Sequence, residues 1–307
     1  MTTESALREL TIPGWDARDR RISYVGHGES FDAWKIEDVD GALPPVLARV
    51  ARRTDLPKPM ENEAGVLREL REAGVAPLLY SYDSGDDNPL GMPYMVTSFV
   101  AGQEKPPAEW SLDEARAVIE HAARLHSATA RPGSSSGIGW LEGSLEYWRA
   151  TASDALSAEP TASVLAAAER FVRANESAFD RLEEIALVHG DLITGNVLLD
   201  EGVPNFVDWE WAEVDDVARD LALIGGQTFG GGTYMELTDT QVRELVECYA
   251  AARDMTSREL DDLAVRRDVW MVLDRMFSSV HSFVTGSAEK RESALAMQRS
   301  LGEWLEG

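Results

Sequence analysis

The patterning of the chain changes character about a third of the way along, and that change limits its architecture more than any single motif. From Arg21 to Val50, ISYVGHGESFDAWKI carries two strand-like runs around glycines, and PPVLARV adds a third. A helical segment follows in PKPMENEAGVLRELREAGV, with Met60, Ala64, Leu67 and Leu70 at helical spacing and a glycine stop at Gly74. APLLYSYD and YMVTSFV then read as strands on either side of the turn-rich SGDDNPLGMP. The first hundred residues therefore predict β-β-β-α-β-β. AGQEKPPAEW, Ala101 to Trp110, reads as a hinge into a mostly helical remainder.

That remainder opens on Ser111 with Glu114 three residues later, a capping-box pattern. RPGSSSGIGWLEGS reads as a Gly/Ser loop, and Leu145 to Ile185 as alanine-rich helix. Further helices are expected around 239–252, 257–284 and 288–305.

Inside the helical part sits LVHGDLITGNVLLDEGVPNFVDWEW, Leu187 to Trp211. VLL and NFVDW, separated by a turn at DEGVP, read as a hairpin of two short strands. The polar loop HGDLITGN precedes the first strand and Asp208 ends the second, so a hairpin brings Asp191, Asn196 and Asp208 together. Two carboxylates and an amide oxygen make a hard-oxygen site suited to Mg²⁺ that keeps water and phosphate oxygens. A carboxylate left off the metal can orient a hydroxyl nucleophile and accept its proton.

An H-x-D loop, an Asn five residues on and a later Asp form the ordered set used for phosphoryl transfer. HGDLITGN followed by VDW resembles the aminoglycoside phosphotransferase family of small-molecule kinases. The resemblance implies an α+β, bilobed protein-kinase-like fold. Its parts would be a small antiparallel-sheet N-lobe with one main helix and a larger, mostly helical C-lobe. Residues 1–100 would be the nucleotide-binding lobe, with the hinge at about 97–105. Residues 106–307 would carry the catalytic loop, metal site and acceptor site. It also implies Asp191 as catalytic base, Asn196 and Asp208 as magnesium ligands, His189 as a loop-shaping residue and Asp220 of DDVARDLA as a structural acid. His126 of ARLHSA resembles a structural element of the same family.

Further parts fall at matching positions. GHGES offers Gly26, Gly28 and Ser30, where backbone amides can approach phosphate oxygens. A plain hairpin turn would read the same. A kinase needs a cation at the end of its third strand, and VLARV supplies Arg49, which binds phosphate in a bidentate fork. Lysine is scarce (Lys35, Lys58, Lys105 and Lys290); Lys35 falls a strand too early and Lys58 lies between prolines. Glu63 matches the helix acid that pairs with that cation, with Glu61 as its rival. Ser98 and Val100 in TSFVAG would meet the nucleobase through backbone groups, so ATP and GTP are both admitted.

Within the family, ESFDAWKI, VLARVARRTDLPKPMENEAGVL, VDWEWAEVDDVARDLA and SFVTGSAEKRESALAMQRSL look like macrolide 2′-phosphotransferases. For the acceptor, Trp209, Glu210 and Trp211 follow the metal aspartate directly. Trp270, Asp274, Phe277 and His281 share one helix face, an aromatic wall with an acid for a cationic amine. A packing stripe would show the same spacing. Tyr234 in FGGGTY reads as part of a lid or as a surface turn.

Composition agrees with a small cationic acceptor and with no nucleic-acid or membrane partner. The chain carries 54 acidic against 29 basic residues, a net charge of −25, which repels polyanions. No apolar run approaches the roughly 18 residues of a membrane helix, and MTTESALREL lacks a secretory pattern. With one cysteine, Cys248, no intrachain disulfide can form, and a cytoplasmic address is expected. The expected activity is a phosphotransferase with an alcohol group as acceptor: a nucleoside triphosphate, with Mg²⁺, phosphorylates an antibiotic, a macrolide at its 2′-hydroxyl. Aminoglycoside kinases and choline, homoserine or sugar kinases of the same fold are the neighbouring readings. A catalytically silent nucleotide-binding module is the reading from another class.

Overall fold

The computed structural model describes residues 3–226 and 233–307, and every statement below concerns those residues. They cluster into two compact units. Unit 1 holds residues 1–103, 198–201 and 205–212; unit 2 holds 104–197, 202–204 and 213–307. Asp208 and the four residues after it therefore group with unit 1, which a single cut near residue 100 does not anticipate.

Unit 1 is built on an antiparallel sheet of β1 (Arg20–His27), β2 (Phe31–Asp38), β3 (Val46–Ala51), β4 (Leu79–Asp83) and β5 (Tyr94–Ser98), in the order β1-β2-β3-β5-β4. Alternation along β3 sorts its side chains between two faces. Val46, Ala48 and Val50 go to a buried core with Ile36, Tyr94 and Val96. An N-terminal helix not anticipated from the sequence, α1 (Thr3–Glu9), adds Leu7 to that core, and the segment after it adds Leu10, Ile12 and Trp15. Arg49 is thereby turned to the opposite face, where α2 (Met60–Glu69) lies. On α2 the buried positions are Met60, Glu63, Ala64 and Leu67, at i, i+3, i+4 and i+7. Helical period alone places Glu63 inside and leaves Glu61 exposed.

Unit 2 begins with α3 (Leu112–Thr129), whose Ser111–Glu114 capping box forms as expected. It continues through β6 (Arg131–Pro132), α4 (Gly137–Ser157), α5 (Thr161–Asn175) and β7 (Glu184–Val188). The hairpin of β8 (Val197–Asp200) and β9 (Val203–Phe206) follows, with residues in both units. After it come β10 (Glu213–Asp215), α6 (Ala218–Leu223), α7 (Asp239–Ala252), α8 (Ser257–Thr285) and α9 (Ala288–Glu306).

Three local expectations are corrected. The stretch RPGSSSGIGWLEGS is not a loop throughout, since α4 starts at Gly137. Its glycines are tolerated because Ser136 caps the Gly139 N–H at 2.9 Å and the Glu176 carboxylate accepts from Ile138 N–H at 2.9 Å. The helix expected to run to Ile185 stops earlier, and β7 takes Glu184–Val188 by pairing with β10 and β6. The hairpin turn is Glu201–Gly202 alone, both at positive φ (50° and 85°), so Val203 and Pro204 belong to β9.

Candidate active site

In unit 1 the chemistry gathers at Arg49. Its guanidinium pairs with Glu63, donates from Nη1 to Asp208 Oδ1 at 2.9 Å, and lies 5.0 Å over the Phe31 ring. Burial works against the charge on Arg49, but Glu63 and Asp208 outweigh it and hold the pKa raised. Burial likewise pushes the Glu63 carboxyl up, while Arg49 pulls it back. The cation is permanently charged and aligned by two acids. Asp208 itself adopts φ 65°, an uncommon backbone state for a side-chain residue, and its carboxylate stays partly exposed.

The turn after β1 is closed by Gly28 N–H to Phe31 C=O at 2.9 Å, and Arg52 donates to Gly28 C=O at 3.0 Å. Ser30 is buried there, with its carbonyl accepting from Arg52 N–H at 2.9 Å. On the segment after β5, Ser98 N–H donates to Leu78 C=O and Phe99 N–H to Pro45 C=O. Among the described residues, neither backbone group of Val100 bonds to another backbone group. Trp209 is enclosed, 1% exposed with its indole N–H on Phe206 C=O at 3.2 Å. It packs unit 1 and presents no face to an acceptor. Glu210 acts on Arg49 through its charge. Trp211 is exposed, with Lys58 Nζ 4.8 Å over its ring.

In unit 2, β7 delivers the loop His189–Asn196. The Asn196 amide donates to both the backbone carbonyl and Oδ2 of Asp191, each at 2.8 Å. With both amide hydrogens spent on Asp191, the oxygen Oδ1 is what Asn196 keeps for another partner. The start of the loop hangs on Asp220, which accepts from His189 N–H at 2.8 Å and Gly190 N–H at 2.9 Å. Asp220 also meets His126 Nε2 at 3.1 Å, and His126 Nδ1 meets Tyr249 Oη at 2.8 Å. Burial would raise the Asp220 carboxyl, yet His126 and the other loop partners hold it lowered.

Beside Gly190 lies a small cavity of about 40 Å³, lined by Trp140, Gly190, Arg219, Leu223, Trp270 and Asp274. Trp270 is fixed by its indole N–H on Asp216 Oδ2 at 2.9 Å, and Arg266 Nε holds the same oxygen at 2.9 Å. Trp140 stands edge-on to Trp270 at 6.0 Å and to Phe277 at 5.6 Å. Asp274 Oδ2 accepts from Tyr234 Oη at 2.8 Å and Arg275 Nη1 at 2.5 Å. Of the expected stripe, Trp270 and Asp274 line the cavity. Phe277 is buried against Trp140, and His281 is exposed with its ring 6.2 Å from Trp148. Residues 227–232, which include the Phe229–Gly232 part of the expected lid, lie outside the described residues.

Sequence reasoning missed Trp140 and Arg219. Trp140 was hidden by its glycine neighbours, and a helical reading of IGWLEGSLEYW, with Ile138, Leu141, Leu145 and Trp148 at helical spacing, is the signal that finds it. No group of three or more His, Cys, Asp or Glu among the described residues has metal-binding arrangement. Nor is any helix among them long and apolar enough to cross a membrane.

This is the protein-kinase-like fold, an α+β structure with its antiparallel sheet in unit 1 and most helices in unit 2. The phosphotransferase enzyme family (APH) matches residues 21–262, and the chain belongs to that family: it is a phosphotransferase. Solved structures agree on the fold. Macrolide 2′-phosphotransferase MphH from Brachybacterium faecium is 18% identical, with TM-score 0.63, over 96% of this chain and 97% of that one. Choline kinase from Cryptosporidium parvum Iowa II is 14% identical, with TM-score 0.68, over 99% and 94%. Aminoglycoside phosphotransferase APH(4)-Ia is 17% identical, with TM-score 0.61, over 92% and 93%. No curated protein matches the sequence.

Proposed function

We propose that the chain transfers the terminal phosphoryl group of ATP or GTP to a hydroxyl of a cationic, largely apolar antibiotic, namely the 2′-hydroxyl of a macrolide amino sugar. The observation that carries the reaction is the Asp191–Asn196 pair, a carboxylate held by an amide on a loop pinned at its start by Asp220. Asp191 orients the acceptor hydroxyl and takes its proton. The freed oxygen bonds to the γ-phosphorus, and the bond to the β-bridging oxygen breaks, leaving the nucleoside diphosphate.

Unit 1 is the nucleotide-binding lobe in this reading. Arg49 holds the α- and β-phosphates, Gly26 near the end of β1 lies over them with Gly28 and Ser30 of the turn that follows, and Val100 offers its backbone groups to the base, with Ser98 offering its C=O. Magnesium is assigned to the amide oxygen of Asn196 and the carboxylate of Asp208, hard donors of the kind it takes. When bound, the ion neutralises charge on the phosphates. Catalysis is otherwise positioning by this chain's own groups.

The acceptor preference rests on the cavity beside Gly190. It has two tryptophan walls, Arg219, whose guanidinium is paired with Glu213 and Asp215, and one acid, Asp274, whose Oδ2 is already shared by Tyr234 and Arg275. A polycationic aminoglycoside needs several carboxylates; a single dimethylammonium on an apolar body needs aromatic surface and one acid. The small volume also favours a second reading, an amino alcohol such as choline, whose head group alone would fill it.

The test is Mg²⁺-dependent nucleotide consumption against a panel of macrolides, aminoglycosides and amino alcohols, with Asp191→Ala alongside. Macrolide-dependent turnover, lost in the variant while nucleotide affinity is kept, is the expected result. Turnover within a few-fold of wild type in Asp191→Ala removes the base assignment. Preference for amino alcohols selects the second reading, and nucleotide binding without turnover on any acceptor selects a silent module.

A further inference from the structure

Thr194 sits in the middle of the loop between Asp191 and Asn196 and is buried. Its N–H and its hydroxyl both donate to one acceptor, the Thr233 carbonyl, at 3.2 and 2.9 Å. Two donors from one residue on one carbonyl fix the distance and the rotation of the two segments together. The rest of the loop is largely closed on itself. Ile193 N–H donates to Asp191 C=O at 2.9 Å, Asn196 N–H to Ile193 C=O at 3.0 Å, and the Asn196 amide to Asp191. Asp220 secures the His189 end; Thr194 secures the Asn196 end.

The partner segment leads directly to the cavity wall. Tyr234, next after Thr233, donates its hydroxyl to Asp274 and lies under the Arg275 guanidinium, 3.1 Å from the ring centroid. Arg275 is 1% exposed and also donates to Ala222 C=O at 3.1 Å, so this side of the clamp is itself anchored in the core. Burial above all pushes the Tyr234 phenol up, which keeps it a donor across the ordinary pH range. Asp274 lines the cavity with Gly190, the residue before Asp191.

We propose that Thr194 is a positioning residue that locks the Asp191–Asn196 loop to the Tyr234–Asp274 wall, holding base and acceptor in one frame. The proposal rests on the reading of Asp191 as the base. Positioning matters at this scale because a misplacement of about 1 Å can cost on the order of 100-fold in rate.

Thr194→Val keeps the shape and the backbone N–H bond but removes the hydroxyl donor; Thr194→Ser keeps the donor. Each is assayed with the acceptor that turns over in the panel, or with water as nucleotide hydrolysis. Thr194→Val is expected to lower kcat about tenfold, with the nucleotide KM within about twofold and Thr194→Ser close to wild type. Tyr234→Phe should speed amide exchange in the 189–197 peptide, and it carries the test should Thr194→Val fold poorly. The double variant Thr194→Val/Tyr234→Phe should be no slower than the worse single one, as expected of groups acting as one unit. A Thr194→Val kcat within about twofold of wild type, a Thr194→Ser as slow as Thr194→Val, multiplying losses, or unchanged exchange in Tyr234→Phe each overturns it. Asp191→Asn run in parallel separates the two claims. Turnover kept there removes the base, whereas a dead Asp191→Asn beside a normal Thr194→Val removes only the clamp.

Discussion

Arg49 Nη1 lies 2.9 Å from Asp208 Oδ1, joining residues 159 positions apart in the chain. The same guanidinium pairs with Glu63, so one cation is aligned by two acids from different elements of unit 1. A planar fork serves two carboxylates at once, which a lysine ammonium does less well.

Arg49→Lys should therefore weaken nucleotide binding. The expected change is a roughly tenfold rise in the dissociation constant, because the bidentate geometry is lost while the charge remains. Titration of nucleotide in the presence of Mg²⁺ checks it. Unchanged affinity removes Arg49 from the phosphate site. Asp208→Ala should abolish the Mg²⁺-dependent part of that binding.

Glu63→Gln leaves a part-buried guanidinium short of one counter-charge. Breaking a buried pair by removing one partner costs about 3 kcal/mol or more, and Glu63 is among the buried residues. Urea unfolding of the variant should show a midpoint shift of that order. The exposed neighbour serves as control: Glu61→Gln should stay within about 0.5 kcal/mol.

Asp220→Asn tests the anchor of the loop. The wild-type carboxylate, itself fully buried, accepts from His189 N–H, Gly190 N–H and His126. An amide cannot accept on both sides, so a buried donor loses its partner at a cost of about 1–3 kcal/mol. Stability and kcat should fall together, with the nucleotide KM little changed.

Trp140→Ala should raise the acceptor KM roughly tenfold, the scale of one aromatic contact, and leave the nucleotide KM alone. An unchanged acceptor KM would move the acceptor away from the cavity that Trp140 lines.

Glu114 gives a pH signature. Its hydrogen bonds from Lys105, with further help from the Ser111 N–H and hydroxyl, hold the carboxyl down at about 2, against an ordinary 4.5. A depressed carboxyl contributes stability that is fully present above its ordinary value and is lost as pH falls through the folded one. The contribution of Glu114 should thus disappear between about 4.5 and 2. Acid unfolding of Glu114→Gln should show a shallower pH dependence across that window; identical curves would count against the assignment.

Features set by residues close in the chain were legible in advance. Short apolar runs between turns marked the five strands β1 to β5, the 3.6 period of α2 gives Glu63 its buried place, and Ser111–Glu114 announced the start of α3. The Asp191–Asn196 pairing is equally local, an amide reaching back five residues. The elements that escaped detection are short or depend on distant partners. β7 and β10, five and three residues long, are strands because they pair across the hairpin between them. Start of α4 depends on Glu176, forty residues away, to hold its capping serine.

By itself the sequence determined the reaction class, through His189, Asp191, Asn196 and Asp208 at spacings suited to phosphoryl transfer, and the strand-like runs that build the sheet of unit 1. Tertiary structure decided which charges are spent inside the fold. It committed Arg49 to Glu63 and Asp208, Asp216 to Arg266 and Trp270, and Asp274 to Tyr234 and Arg275. It also withdrew Trp209 into the core and brought Trp140 to the cavity. The reason is physical: neighbours in the chain meet through backbone geometry alone, whereas distant charges pair only when folding has closed the loop and removed the water between them.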